Sequence, residues 1–169
     1  MTGATPSMRE VVISGLGLVS PHGDDLGPVF EAMLQGRSAI ALWNRDGMPP
    51  AAVASADFSP ERWFTKLQLV GVDRVSQMAV AASELARADA RWSEGIDPER
   101  VGVYIGSGMG GAAALEEGYE ASRTGRRVSP LTVVAAMTNA PAAHIAIRAG
   151  AQGPVYAYSV ACASSAVAI

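Results

Sequence analysis

The residues of this chain that can do chemistry are few. Cys162 is the only cysteine among 169 residues. It stands in the stretch from Val155 to Ile169, VYAYSVACASSAVAI. The β-branched and aromatic run Val155–Val160 predicts a strand, Ala161-Cys162-Ala163 a junction, and the small residues beyond it the opening of a helix. A strand that turns sharply into a helix N-terminus is how folds present a nucleophile. A free thiol, with an ordinary pKa of about 8.5, is mostly protonated at neutral pH, and the partial positive charge of a helix N-terminus favours the thiolate. Cys162 is therefore the candidate catalytic thiol. The plainer alternative is a small buried hydrophobe, the common state of a lone cysteine in an apolar stretch.

Two glycine-rich turns invite other chemistry. Gly106-Ser107-Gly108-Met109-Gly110-Gly111 follows a predicted strand and opens a helix, as a phosphate cradle does, but it holds no lysine and no Walker spacing. Gly15 and Gly17 form half of a dinucleotide fingerprint, with Ser20 where the third glycine belongs. Tight turns and close helix packing account for these glycines more simply than a nucleotide does. His144 shares a helical face with Ile147 and Arg148 and reads as a structural side chain; His22 has no partner by pattern. Arg126 and Arg127 make a small basic spot, either a solvated loop or a place to meet an acidic partner. No cofactor and no metal is expected.

The elements that must position Cys162 follow from pattern. Glu10–Ser14 is β-branched and predicts a first strand, followed by a turn over Gly15–Pro21. Leu26–Gln35 has helical spacing, with Asp24 or Asp25 as its cap and Gly36 as its end. Residues 36–72 have no clear period; three prolines break them, and they read as a covering segment with a short strand or helical turn. Val75–Ala90 is strongly helical, and its alanines imply close packing on both sides. Ile96–Arg100 is a turn and Val101–Ser107 an alternating strand. Helices are expected over Ala112–Ser122 and from Ser129-Pro130 to Arg148, the second broken near Asn139-Ala140-Pro141. Strands alternating with helices argue α/β with a partly parallel sheet. Residues 1–8 read as a flexible leader and 9–169 as one domain.

Composition narrows the function classes. The chain is 49% hydrophobic and 17% charged, with a net charge of −3 from 13 basic and 16 acidic residues. That is a globular composition with no basic stripe, so no nucleic-acid partner is expected. One free thiol fits a reducing compartment, no apolar run suits a signal peptide or a membrane span, and a cytoplasmic location is expected.

Several segments, in order, resemble the β-ketoacyl synthases, the condensing enzymes of fatty acid and polyketide synthesis. They are Glu10–Pro21 (EVVISGLGLVSP), Asp73–Ala79 (DRVSQMA), Val101–Gly111 (VGVYIGSGMGG), Val128-Ser129-Pro130, Asn139–Ala146 (NAPAAHIA), Gly153-Pro154 and Ala161–Ser165 (ACASS). The last is similar to the family's active-site cysteine segment, although Val160 stands where many relatives have threonine. The resemblance implies a thiolase-like fold, here an incomplete first half with a mixed sheet and packing helices, truncated after the active-site cysteine. It implies that Cys162 is the nucleophile and that its backbone N–H is one oxyanion donor. It implies that Met109, Val133 and Ala161 line an acyl pocket and that Thr132 approaches the pocket of a dimer mate; ordinary core or interface roles are the alternative for all four.

The implied reaction is decarboxylative Claisen condensation through an acyl-cysteine. The implied partners are an acyl carrier protein, a second ketosynthase subunit in a homodimer or heterodimer, and a C-terminal half with two catalytic histidines. Neither His22 nor His144 matches those histidines. Retention of Cys162 argues against the chain-length factors, which resemble these enzymes but replace the cysteine. Two other readings are a non-catalytic dimerisation or assembly half and, on the glycine turns alone, a nucleotide-binding domain. Residues 1–169 on their own are expected to be unstable or to aggregate through exposed strand edges and apolar patches.

Overall fold

The computed structural model describes residues 10–45, 47–92 and 95–169; the expected leader, 1–8, lies outside them. Helix α1, Leu26–Leu34, starts where Asp25 Oδ1 accepts from Gly27 N at 3.0 Å. Asp24, the other candidate cap, pairs instead with Arg62. The covering segment contains a short antiparallel ribbon, β1 (Ala41–Trp43) against β2 (Ala51–Val53), and a 3₁₀ turn at Pro60–Arg62. Helix α2, Arg74–Asp89, follows, capped by Asp73.

Strand β3, Val103–Gly106, leads through the glycine-rich turn to α3, Ala112–Arg123. Helices α4, Thr132–Ala136, and α5, Ala140–Ala149, are separated by extended backbone at Met137, matching the break expected near Asn139. Strand β4, Val155–Tyr158, pairs in parallel with β3, Val103 opposite Val155 and Gly106 opposite Tyr158. Parallel neighbours need a long crossover, and α3 to α5 supply it. The chain closes with a 3₁₀ turn at Ala161–Ala163 and α6, Ser164–Ala168. The described strands form two separate two-stranded sheets, one antiparallel and one parallel, with helices packed on the parallel pair in the expected α/β manner.

The core lies between α2, α5 and the β3–β4 pair. Val80, Val103, Ala142, Ile145 and Ala146 form it, with Phe64, Ala79, Ile105 and Ala151 packed around. On another part of α2 the segment Gly15–Gly17 lies against the helix: a Cβ on Gly17 would fall 2.9 Å from Leu85 Cβ, and one on Gly15 2.5 Å from Ala90 N. Leu16 N donates to Asp89 Oδ2 at 2.8 Å. The alanines of α2 thus serve two neighbours, and the two glycines are packing residues that leave no half-fingerprint to explain.

One expected element is corrected. Glu10–Ser14 is not a strand: its backbone joins no sheet among the described residues, and Val11, Val12 and Ile13 are exposed, Val11 at 93%. β-Branched residues favour extended backbone, but a strand exists only where a neighbour takes its N–H and C=O groups. Here the adjacent residues dock on a helix.

Candidate active site

Cys162 sits where β4 is forced to become α6. After Tyr158 the backbone leaves the sheet through Ser159 and Val160, and Ala161 takes φ +50°, in the left-handed region. That conformation costs a residue with a Cβ about 1–2 kcal/mol, so neighbouring contacts must hold it. They are present. Ser164 Oγ accepts from Val160 N at 2.9 Å and donates to the Ala161 carbonyl at 2.7 Å. Ala163 N donates to the Val160 carbonyl at 3.2 Å. Ser164 is 3% exposed.

The N-terminus of α6 can lie on β3 because residue 106 is glycine. A Cβ there would fall 2.5 Å from Ser165 N, and closer still to the Ser164 carbonyl group. The glycine-rich turn is tied to the same place. Ser107 N donates to the Tyr158 carbonyl at 3.0 Å, Ser159 Oγ to the Gly108 carbonyl at 3.4 Å, and Gly110 N to Ser107 Oγ at 3.0 Å. The turn is therefore a brace for the cysteine elbow, built from glycine for close approach.

The thiol of Cys162 is free and exposed, which removes the buried-hydrophobe alternative. Among the described residues no acceptor takes the Cys162 N–H, which leaves it available to a substrate oxygen. An exposed thiol with an unengaged N–H at its own Cα is the arrangement a thioester acceptor needs: the sulfur attacks the carbonyl carbon while the amide receives the developing oxyanion.

The other predicted residues lie on several different elements. Ala161 is the elbow itself. Met109 is exposed on the turn that Ser159 ties down. Val133 is exposed on α4. Thr132 is half-buried at the start of α4, where its methyl would collide with any Cβ on Gly118, and it lines a cavity of about 440 Å³ with Asp73, Ala114, Gly118 and Arg126. A separate apolar cavity of about 350 Å³ runs between β3, α2 and α6, lined by Val75, Ala79, Ile105, Pro141, Ser165 and Ala168. None of the four predicted substrate residues lines it. Ser164 lies within the ACASS segment, but no periodicity singles it out from its small neighbours.

The histidines are elsewhere. His22 lies in the tight Ser20–Gly23 turn. His144 is half-buried on α5, beside a cavity of about 150 Å³ that Phe64, Gln68, Val80 and Arg148 also line. Burial alone lowers its pKa from the ordinary value. Among the described residues no cluster of three His, Cys, Asp or Glu side chains could hold a metal ion, and no helix is long and apolar enough to cross a membrane.

A parallel strand pair, its helical crossover and a cysteine on a strained strand-to-helix elbow define an α/β protein that presents an exposed thiol. Residues 8–169 match the family described as "Beta-ketoacyl synthase, N-terminal domain", and the chain belongs to that family. It is 32% identical over 171 residues to 3-oxoacyl-[acyl-carrier-protein] synthase I, chloroplastic, of Arabidopsis thaliana, covering 95% of this chain and 36% of the relative. A crystal structure of a β-ketoacyl synthase from Burkholderia phymatum superposes with TM-score 0.77 at 26% identity, covering 95% of this chain and 41% of that one. A type II polyketide synthase ketosynthase, solved with its acyl-carrier protein, shares the fold at TM-score 0.75 and 21% identity, covering 93% of this chain and 43% of that one. The fold is thiolase-like. The chain spans about two-fifths of the length of these relatives.

Proposed function

We propose that this chain is the acyl-accepting part of a β-ketoacyl-(acyl carrier protein) synthase. The observation that carries the proposal is the exposed Cys162 on its braced elbow, within a family match that reaches from residue 8 to residue 169. In the first half-reaction the Cys162 thiolate attacks the carbonyl carbon of an acyl thioester. The carbon–sulfur bond to the carrier breaks, and the carrier leaves as a thiol after taking up a proton. The Cys162 N–H donates to the oxyanion of the tetrahedral intermediate; loss of such a donor costs about 10²–10³ in rate.

In the second half-reaction a malonyl thioester loses carbon dioxide, and the electron pair of the broken carbon–carbon bond stays on its α-carbon. That carbanion attacks the acyl carbon on Cys162, and the Cys162 sulfur leaves as thiolate. The carbanion needs stabilising groups, which we assign to two histidines in the remainder of the protein. An acyl carrier protein delivers both thioesters, consistent with the carrier named in relatives and seen with one fold neighbour. Met109, Val133 and Ala161 are assigned to the acyl pocket and Thr132 to a dimer mate's pocket. The thiolase-like fold and the free thiol are compatible with a dimer working in the cytoplasm.

Mass spectrometry of the full-length protein after incubation with octanoyl-CoA tests the first step. The expected result is one acyl adduct, on Cys162, and no condensation in Cys162→Ala. Acylation elsewhere, or turnover by Cys162→Ala, sinks the proposal. No acylation at all favours a non-catalytic assembly half.

A further inference from the structure

We propose that Ser164 is a positioning residue: its hydroxyl holds Ala161 in the left-handed conformation that aims the Cys162 thiol and N–H at an incoming thioester. The proposal rests on Cys162 being the acyl acceptor.

The geometry is a side-chain clamp across a strained residue. Ala161 is at φ +50°. Its neighbour on one side, Val160, gives its N–H to Ser164 Oγ at 2.9 Å, and its own carbonyl receives the Ser164 hydroxyl proton at 2.7 Å. One hydroxyl thus engages the backbone on both sides of the Ala161 torsions, and the Ser164 backbone N–H reinforces the second contact by also donating to the Ala161 carbonyl. Ser164 is itself pinned. It is 3% exposed and its backbone lies against Gly106 of β3, so the clamp is anchored to the sheet.

A side chain that merely filled space here could be alanine. A hydroxyl that is both donor and acceptor is required only if the turn must not relax. Alanine is reluctant to stay at positive φ. Without the clamp Val160 N and the Ala161 carbonyl each lose a partner, and relaxation of Ala161 rotates the next residue. That next residue is Cys162, and misplacement of a reacting atom by about 1 Å can cost about 10²-fold.

The test compares two reactions of one thiol in the full-length protein. Acylation by octanoyl-CoA needs a fixed approach and the oxyanion donor; alkylation by iodoacetamide needs only an accessible thiolate. Ser164→Ala is expected to slow acylation about 10- to 100-fold while alkylation changes less than about threefold. In a background of Ala161→Gly, where glycine takes positive φ without strain, the acylation loss from Ser164→Ala is expected to shrink at least about fivefold. If Ser164→Ala alone folds poorly, Ser164→Thr, which keeps the hydroxyl, is expected to acylate within about threefold of the unaltered rate, and a loss of about 10-fold or more there overturns the inference.

Acylation at the unmodified rate in Ser164→Ala overturns the inference. So does a parallel fall of both reactions, which would mark a purely structural serine, or an undiminished loss in the glycine background. If the unaltered protein takes no acyl group on Cys162, the condensing-enzyme reading fails first and the inference falls with it. If Cys162 is acylated and Ser164→Ala is silent, only the inference fails.

Discussion

Gly106→Ala is the sharpest perturbation of the cysteine elbow that leaves every chemical group in place. Residue 106 ends β3 opposite Tyr158. A methyl there would lie 2.5 Å from Ser165 N, against an ordinary Cβ contact of 3.4–4 Å. The groups in the way are backbone atoms of Ser164 and Ser165, which have no rotamer to change. The N-terminus of α6 must therefore lift from the sheet by about 1 Å, taking the Ser164 clamp and Cys162 with it. Overpacking of this kind costs about 1–3 kcal/mol, and a shift of that size at a nucleophile lowers reaction about 10²-fold. Denaturant titration of the full-length protein reads the first quantity, and the rate of Cys162 acylation by octanoyl-CoA reads the second. A variant within about 0.5 kcal/mol of wild type that acylates at the same rate would refute the claim that β3 and α6 are in backbone contact at this point.

Other outcomes follow from the same contacts. Asp73 caps α2 through Oδ1, accepting from Val75 N at 2.9 Å, while Oδ2 accepts from Ala114 N at 2.8 Å in the first turn of α3. Asp73→Ala uncaps two helix starts at once and is expected to destabilise the full-length protein by about 2 kcal/mol; a loss below about 0.5 kcal/mol would show that the carboxylate is dispensable. Burial lowers the pKa of His144 below the ordinary histidine value of 6.5. Its unfolded form therefore binds the proton more readily, so its contribution to stability is present above pH 6.5 and is lost as pH falls from there towards the folded pKa. Thermal melts between pH 7.5 and 5 are expected to flatten in His144→Gln, and an unchanged pH slope would assign the dependence to other groups. The 169-residue chain leaves Val11, Val12 and Ile13 exposed and the outer edges of the β3–β4 pair without partners among the described residues. Light scattering is expected to show self-association, and a monomer with a cooperative melt would contradict that.

Much of the fold was legible because its signals are local. The helical period of Val75–Ala90 returned as α2, and the alternation through Val101–Ser107 contained β3. The interruption at Asn139-Ala140-Pro141 became the boundary between α4 and α5. The run Val155–Val160 produced β4, shorter by two residues because the elbow takes Ser159 and Val160 out of the sheet. Glu10–Ser14 misled for a physical reason: side chains can favour extended backbone, but pairing depends on what lies alongside. Met109, Val133 and Thr132 could be assigned by resemblance alone, and the structure distributes them over a turn, an exposed helix face and a separate cavity.

By itself the sequence determined the chemical species and its setting: one thiol, at the junction of a strand and a helix, in an α/β chain whose ordered segments resemble one family. Those features depend on residue type and on periods of two and 3.6, which act over a few residues. Tertiary structure decided how the thiol is held. The φ of Ala161, the two-sided bond from Ser164 and the approach of α6 to Gly106 arise where β3 and β4 meet, although about fifty residues separate the two strands. No local pattern reports such a meeting, because its energy comes from groups that are distant in the chain and adjacent only once it has folded.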